Sequence, residues 1–352
     1  MSYSLYRVAG PDRGPAGPSH RRSVLGWAFA IAVATAGFAE SLFGQGVTCD
    51  PAKVVTAEAC AKCHANEVRV WQATPHAQTF ETLSRRPEAR EICKKLGLRS
   101  VKRSDVCVQC HFTRQQVGER IRPVSGISCE SCHGAAVDWL NVHNDYGGPN
   151  ATRDSESEAH RQQRWEQSIA GGMRNTRNLY LIASSCFRCH TVPNERLVNV
   201  GGHRATSEDF ELVRWSQGTV RHNFLRTQGT SNATSDIERL RVMYVVGLIA
   251  DLEYSTRATA LATEKSTYGL GVANRAAKVA VQLFELQQEL HDPDVQAALE
   301  AFAEAELKIN HRESLLAIAD RIRQAGITFA TRADGSALAA VDSRLPDPAH
   351  YR

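Results

Sequence analysis

The sequence predicts a mainly α-helical chain in two parts: short helices and loops at residues 54–224, then a helical hairpin or bundle at residues 235–326. Eight of the ten cysteines lie in four short repeats before residue 191, and no cysteine follows them. The first part has no long periodic segment, whereas apolar residues recur at helical spacing from residue 237 onward. With 352 residues, 42% hydrophobic and 23% charged, the composition is that of an ordinary globular protein.

The first 39 residues have the features of an export signal peptide. Residues 1–23 are rich in Pro, Gly and Arg, and an apolar run at residues 24–39 follows, with small residues Gly37 and Ala39 before the expected cut. We therefore expect a periplasmic or otherwise exported protein. An uncleaved membrane anchor is the alternative, although the run is shorter than the roughly 20 residues that span a bilayer.

The charge of the chain argues against one class of partner. The formal net charge is +4, and loss of residues 1–39, with four Arg and one Asp, leaves about +1. No basic stripe with interleaved aromatic residues is present, so we expect no nucleic acid partner. Contact with a membrane is expected only if the N-terminal segment stays uncleaved.

Eight cysteines form four copies of the pattern Cys-x-x-Cys-His, which is the attachment site of a c-type haem. Two thiols three positions apart can add to the two vinyl groups on one edge of a porphyrin, and the histidine that follows becomes the proximal ligand of the iron. We therefore predict four covalently bound haems. The copies are Cys60/Cys63/His64, Cys107/Cys110/His111, Cys129/Cys132/His133 and Cys186/Cys189/His190.

Redox-active and zinc-binding cysteine pairs fit the pattern less well. A single Cys-x-x-Cys also occurs in thioredoxin-like redox sites and in zinc sites, but neither requires a histidine directly afterwards in four separate copies. Cys49 and Cys93 lie outside the pattern. A disulfide between them in an oxidising compartment and two free thiols are both compatible with the sequence.

Each haem iron also needs a ligand at its sixth position. Neutral imidazole is already the ligand type at the fifth position, and only Met173 and Met243 lie near or beyond the motifs, so methionine is not expected as a general ligand. Five further histidines are candidates: His76, His143, His160, His203 and His222.

Short helices are expected throughout the first part. Residues 65–83 are predicted to form two helices broken at Pro75, and residues 154–169 a polar helix with an acidic start. Residues 207–215 are predicted to form another short helix that opens with a serine cap.

The second part is expected to contain three helices without a cofactor motif. Residues 273–290 form the second helix, and the third begins at Pro293 and stops at Gly326. The tail at residues 331–352 is expected to be an irregular surface segment. The first helix is indicated by apolar residues at helical spacing, Ile237, Leu240, Met243, Val246 and Leu252.

Three stretches carry a family resemblance. The first is the first haem motif followed by Trp71-Gln-Ala-Thr-Pro-His76 and continuing to Leu83. The second is Gly126-Ile-Ser-Cys129-Glu-Ser-Cys132-His133-Gly134 with His143 after it, and the third is the fourth haem motif with Phe210-Glu-Leu-Val213 and His222 after it. Together they cover about half the chain and resemble the tetrahaem cytochromes c that accept electrons from hydroxylamine oxidoreductase in ammonia-oxidising bacteria.

The resemblance implies a mostly helical haem core with crossed axial ligation. In that family the histidine at the position of His76 ligates the third haem, and the histidine at the position of His143 ligates the first. His222 is then expected at the fourth haem, with His203 as its competitor. The second haem, at His111, is expected to be five-coordinate.

The sequence departs from the family pattern in three ways. It has two more histidines, His160 and His203, two more cysteines, and a long helical C-terminal region. His160 lies in a charged stretch that favours a solvated helix face, whereas His203 lies in a glycine-flanked loop. Five spare histidines for four iron positions also allow full bis-histidine ligation, so an open and a closed second haem both remain in view.

These features predict an electron carrier without catalytic residues, whose partners are redox proteins that donate and accept electrons. Haem iron with two histidine ligands has no vacancy for a substrate. The alternative is an oxidoreductase acting on a small nitrogen oxide (nitric oxide, hydroxylamine or nitrite) at an open second haem. A third hypothesis is a docking subunit whose helical C-terminal region binds a larger oxidoreductase.

Overall fold

The computed structural model describes residues 49–207 and 209–352, and the expected export signal lies outside these residues. The described residues belong to one compact unit. Their secondary structure is almost entirely helical, with one two-stranded sheet, so the mainly α prediction is confirmed. Within the described ranges, no helix is both long enough and apolar enough to cross a membrane.

The haem-motif region is built from ten α-helices in the described residues, none longer than 13 residues. They are α1 (Ala57–Ala61), α2 (Ala65–Gln72), α3 (Pro75–Thr82), α4 (Pro87–Leu96), α5 (Asp105–His111), α6 (Cys129–His133), α7 (Glu158–Ala170), α8 (Leu179–His190), α9 (Glu195–Asn199) and α10 (Leu212–Ser216). The break expected at Pro75 is present, because Pro75 opens α3 and the Thr74 hydroxyl accepts a hydrogen bond from the N–H of Ala77.

Two of these helices begin later than the sequence predicted. The polar helix α7 starts only after Ser157, whose hydroxyl accepts a hydrogen bond from the N–H of His160. The helix α10 starts after Glu211, whose carboxylate accepts hydrogen bonds from the N–H groups of Val213 and Arg214. In both cases a side chain that satisfies free N–H groups sets the first turn.

A β-hairpin between the second and third haem motifs was not predicted. Its strands, β1 (Thr113–Val117) and β2 (Arg120–Ser125), pair antiparallel, with Val117 opposite Arg120. The turn between them depends on Gly118, which takes a positive φ of 60° that glycine adopts without a Cβ clash.

Four further helices follow: α11 (Ile237–Ala260), α12 (Thr267–Leu290), α13 (Pro293–Ala303) and α14 (Arg312–Arg332). The sequence predicted one helix where α13 and α14 lie, with an end at Gly326, and both details are wrong. The chain turns before α14, where Asn310 takes a left-handed conformation and donates its N–H to the carbonyl oxygen of Ala262 (3.0 Å). This bond fixes the turn to the end of α11.

Gly326 continues α14 because its missing side chain makes room for a buried aromatic ring. A Cβ added there would lie 2.0 Å from the ring of Tyr180, which is fully buried in α8. The Tyr180 hydroxyl donates a hydrogen bond to the Glu253 carboxylate of α11 (2.6 Å), so this close approach joins three helices.

The helix α11 is the centre of the core, since most of its residues are buried. It packs against α8, α10, α12 and α14, and one apolar cluster includes Phe187 and Phe210 from the haem-motif region. The two parts of the chain therefore share a core. The segment after α14, expected to be irregular surface, forms two short 3-10 helices and buries Leu338 and Val341 in the same cluster.

We expect Gly326→Ala to lower the free energy of unfolding by about 1–3 kcal/mol, because overpacking a dense core forces the surrounding side chains to shift. Thr328→Ala, at an exposed position of the same helix, is the control and should change stability little. Chemical denaturation followed by far-ultraviolet circular dichroism measures both. Equal stability of the two variants would contradict the close approach.

Candidate haem-binding site

Short helices bring the thiols and the imidazole of three motifs to one side of the backbone. Residues at positions i, i+3 and i+4 share a helix face, which is the spacing of Cys-x-x-Cys-His. The second motif lies in α5, the third is α6, and the fourth ends α8. The first motif begins in α1 with Cys60 but extends beyond that helix.

Cys63 departs from the common arrangement predicted for the eight motif cysteines. It is exposed, whereas the other seven are buried or partly buried. The cause is that α1 ends at Ala61, so Cys63 lies in the turn that follows, where its N–H donates to the carbonyl oxygen of Cys60 (3.2 Å). His64 comes directly after this turn, and the Cys63 thiol is exposed to solvent.

Each motif histidine faces one histidine from outside the motifs. The ring-centre separations of the four pairs are 6.3 Å for His64 with His143, 6.4 Å for His111 with His203, 6.1 Å for His133 with His222 and 6.4 Å for His190 with His76. Four motif histidines and four partners are thus matched one to one, with no histidine shared.

The separations suit an atom held between two ring nitrogens. Two metal–nitrogen bonds of about 2 Å each, together with half the width of each ring, account for a separation of this size. Direct ring packing does not explain it, because the interplanar angles range from 24° to 84° while the distances hardly change. By contrast, the packed rings of His190 and Phe210 are 4.1 Å apart and nearly parallel. The residues present therefore fit iron with two axial imidazoles.

Backbone carbonyl groups orient three of the four partner histidines. Nδ1 of His143 lies 2.7 Å from the carbonyl oxygen of Leu140, and Nδ1 of His222 lies 2.7 Å from that of Val220. Nδ1 of His203 lies 3.0 Å from the carbonyl oxygen of its neighbour Arg204. A donor at Nδ1 leaves Nε2 unprotonated and free to bind a metal, and such second contacts hold the ring in place.

Burial favours the neutral form of three motif imidazoles, those of His111, His133 and His190, and the neutral form is the one that binds iron. Loss of water lowers the pKa of His111 and of His133 to about 4, in each case helped by the facing histidine. The same cause lowers the pKa of His190 to about 3. Desolvation also lowers the pKa values of His76 and His143.

The pairing differs from the family scheme at two histidines. His143 lies opposite His64, as the resemblance implied, but His76 lies opposite the fourth motif and His222 opposite the third, so their expected partners are exchanged. The N–H of Ile127 donates to the carbonyl oxygen of His76 (3.0 Å), and this contact anchors the start of α3.

The second motif also differs from the scheme, because His203 stands opposite His111 where an open position was expected. Two glycines allow the loop to approach. Gly201 lies against the side chains of Ile92 and Leu96, and Gly202 takes a positive φ of 80°. The loop that the sequence singled out for its backbone freedom therefore delivers the imidazole.

His160, Cys49 and Cys93 take no part in these pairs. Nδ1 of His160 lies 2.8 Å from the Glu156 carboxylate, to which Arg164 also donates. Cys49 and Cys93 are both free thiols, so the disulfide considered from the sequence is not formed. Cys93 packs instead beside Cys107 and other residues near the second motif.

The four motifs adjoin one another in a definite order. The helices α1 and α6, which carry Cys60 and Cys129, pack against each other, and Sγ of Cys189 in the fourth motif lies 4.0 Å from the carbonyl oxygen of Gln109 in the second motif. The third and fourth motifs meet where the Ser185 hydroxyl donates to the carbonyl oxygen of Cys132 (3.0 Å). The spatial order is therefore first, third, fourth, second.

A buried guanidinium near this junction lacks a partner for one of its atoms. Within the described residues, Nε of Arg188 is buried with no hydrogen bond, whereas its Nη1 donates to the carbonyl oxygen of Gln109 (3.5 Å). A buried guanidinium needs an anionic partner, and the carboxylates of a haem are groups of that kind.

Sequence reasoning missed the residues that support the fourth motif. The Arg275 guanidinium of α12 donates to the carbonyl oxygens of Ser207 (2.6 Å) and Phe210 (3.3 Å). The ring of Phe210 stacks on His190, and the Ser207 hydroxyl lies 3.3 Å from Nδ1 of His190. The buried Asp251 carboxylate in turn holds Arg275 through two hydrogen bonds of 2.7 Å. A lone Arg and a lone Asp on helices without a motif carry no sequence signal of this role.

Glu130 was also missed, although it lies inside the third motif. Its carboxylate is buried and accepts hydrogen bonds from the N–H groups of Val55 (3.0 Å), Thr56 (2.9 Å) and Ala136 (2.9 Å). This residue ties the third motif to the segment that leads into the first. The only sequence signal of this role was the position of an acidic residue between the two cysteines of one motif.

Comparison with known proteins supports the same class of site. Residues 59–134 match the family model described as cytochrome c554 and c-prime. Over 96 residues the chain is 29% identical to cytochrome c-554 of Nitrosomonas europaea, and this match covers 25% of the chain and 41% of that protein. The chain therefore resembles the cytochrome c554 family, as its motifs predicted, and spans about two fifths of the relative's length. No solved structure matches the chain.

We expect His203→Ala to convert one low-spin haem to high-spin, because the variant removes the imidazole opposite His111. His160→Ala should leave the spectrum unchanged, since its side chain binds Glu156. Electron paramagnetic resonance of the two ferric proteins measures both changes. If neither variant, or both, gained a high-spin signal, the assignment of His203 would fail.

We expect Arg275→Gln to lower the free energy of unfolding by about 3–5 kcal/mol, because it leaves the buried Asp251 carboxylate without its partner. The double variant Asp251→Asn/Arg275→Gln should recover part of this loss, since no uncompensated charge remains. Glu285→Gln, at an exposed position of the same helix, is the control. Denaturant unfolding of the three variants is the measurement, and a double variant no more stable than the single one would contradict the pairing.

Proposed function

We propose that the chain is an exported tetrahaem c-type cytochrome that carries electrons between redox proteins. The observation that carries the proposal is the one-to-one opposition of four motif histidines and four others at 6.1–6.4 Å. The resemblance to the cytochrome c554 family supports the same class of protein.

The chain's own residues have three tasks in this function. Eight motif cysteines would hold the haems, and four histidine pairs would supply ligands to the iron. Haem iron, when bound, supplies one-electron oxidation and reduction. Burial lowers the pKa values of His111, His133 and His190. The carbonyl groups of Leu140, Val220 and Arg204 fix the direction of three of the partner imidazoles.

The adjacency of the motifs supports a continuous path for electrons. Neighbouring motifs meet through packed helices or through a contact with a backbone carbonyl group of the next motif, in the order first, third, fourth, second. The first and second motifs are the two ends of this series. A series with two ends allows an electron to enter at one end and leave at the other.

The alternative function, oxidoreduction of a small nitrogen oxide, needs an open iron. His203 opposes His111 at the one motif where the family scheme expected a vacancy. The same observation favours electron transfer at all four motifs. Export is part of the proposal because haem attachment of this type takes place outside the cytoplasm.

We expect four haems to remain attached after acidic acetone extraction, because each is bound through thioether links. The intact mass of the extracted protein measures their number, and two or fewer would overturn the assignment. Electron paramagnetic resonance of the untreated ferric protein should then show low-spin haem alone. A high-spin signal from about one quarter of the iron would restore the open-site alternative.

A further inference from the structure

One segment of the chain carries a strong positive charge. Residues 85–103 contain eight Lys or Arg residues and two Glu, a net charge of +6, whereas the whole chain has a formal charge of +4. Seven of the eight side chains are exposed, and among the described residues only Arg85 has an ion pair, a long one with Glu81. We call these eight residues the basic surface: Arg85, Arg86, Arg90, Lys94, Lys95, Arg99, Lys102 and Arg103.

The basic surface is built at some cost to its own helix. Arg86, Arg90 and Lys94 follow one another at intervals of four residues at the start and along the side of α4. Like charges at this spacing repel and destabilise a helix. Lys102 contacts the ring of Phe80 (3.5 Å to its centre) and Arg90 donates to the carbonyl oxygen of Ser84 (3.3 Å), but among the described residues no ion pair accounts for the clustering of these charges beyond that of Arg85.

The helix α4, which carries part of the basic surface, contacts residues on both sides of the second histidine pair. Ala89 of α4 packs in the same cluster as Cys107 and Val108 of the second motif. On its other side α4 meets the loop that carries His203, where the Lys95 ammonium lies next to Gly202. The helix therefore touches both the proximal and the distal side of this site.

The opposite end of the motif series has no such charge. Residues 50–70, around the first motif, contain three basic and three acidic residues, a net charge of zero. Of these two segments, only the one beside the second motif therefore carries a net positive charge.

We infer that the basic surface around the second motif is the docking site of an acidic redox protein. This inference rests on the proposed function and names the kind of partner that one end of the motif series meets. Complementary charge steers a partner to the surface and raises the rate of encounter. A partner docked on α4 lies against the residues that enclose His111 and His203.

The chemistry of the basic surface favours a protein over other anions. Within residues 85–103 no large hydrophobic side chain is exposed, whereas helices that bind membranes bury an apolar face in the lipid. No aromatic residue lies within this segment, so it offers no stacking platform for the bases of a nucleic acid.

The test compares two variants with the same change of charge. Arg90→Glu/Lys94→Glu reverses two exposed residues of the basic surface, and Lys62→Glu/Arg69→Glu reverses two exposed residues at the first motif, Lys62 between its cysteines and Arg69 after its histidine. The probe is oxidised plant plastocyanin, a small acidic copper protein that accepts electrons from the reduced, haem-loaded protein. Stopped-flow absorbance measures the second-order rate.

At an ionic strength of about 0.01 M, where charges act over about 30 Å, we expect Arg90→Glu/Lys94→Glu to slow the reaction about tenfold. Lys62→Glu/Arg69→Glu should stay within about twofold of the parent protein. The difference should vanish near 1 M salt, where screening shortens the range to about 3 Å. Equal losses in the two variants, or no loss in either, would overturn the inference.

Two further measurements separate the alternatives. Haem content and the low-spin spectrum are measured first in every variant, so that loss of haem, which concerns the proposed function, is distinguished from loss of docking. Binding to phosphatidylglycerol vesicles is measured in parallel. If Arg90→Glu/Lys94→Glu lost vesicle binding but reacted normally with plastocyanin, the surface would be a membrane contact and the inference would be wrong.

Discussion

The separation between opposed imidazole rings is the constraint on which the rest of the structure depends. Imidazole binds a metal through an unprotonated ring nitrogen, and contacts at the other nitrogen fix the tautomer and the direction of the ring. Two facing imidazoles can therefore share a metal only if both are held in direction and at one separation. Short helices, glycine loops and backbone carbonyl contacts serve this end in the haem-motif region. The helices there are too short to be stable by themselves and depend on what they pack against.

Much of that support comes from the C-terminal helices. The large apolar cluster is centred on α11 and extends into α8, the helix that carries the fourth motif. Two buried polar contacts reach the same motif helix or its surroundings, Tyr180 with Glu253 and Arg275 with Asp251. Buried charged groups are costly unless they are fully paired, so these contacts favour a single arrangement of α8 relative to α11 and α12.

The exposed charged residues are also distributed unevenly. One end of the motif series is strongly positive and the other is neutral, while the chain as a whole is nearly balanced. Buried residues set the geometry of the histidine pairs, whereas exposed residues of α4 set the field around one of them. These two sets of residues do not overlap. Exposed residues of α4 can therefore be changed to alter partner binding without changing the geometry of the histidine pairs.

The sequence by itself determined the four Cys-x-x-Cys-His motifs, the mainly helical fold and the five histidines from which the four partners come, because each depends on residue type or local spacing. Which histidine meets which motif was decided by tertiary structure. His76, His203 and His222 lie tens of residues from their partners, and loop paths rather than spacing bring them together. Likewise, Gly326 has the local features of a helix end, but the ring of Tyr180 from a distant helix requires that α14 continue through it.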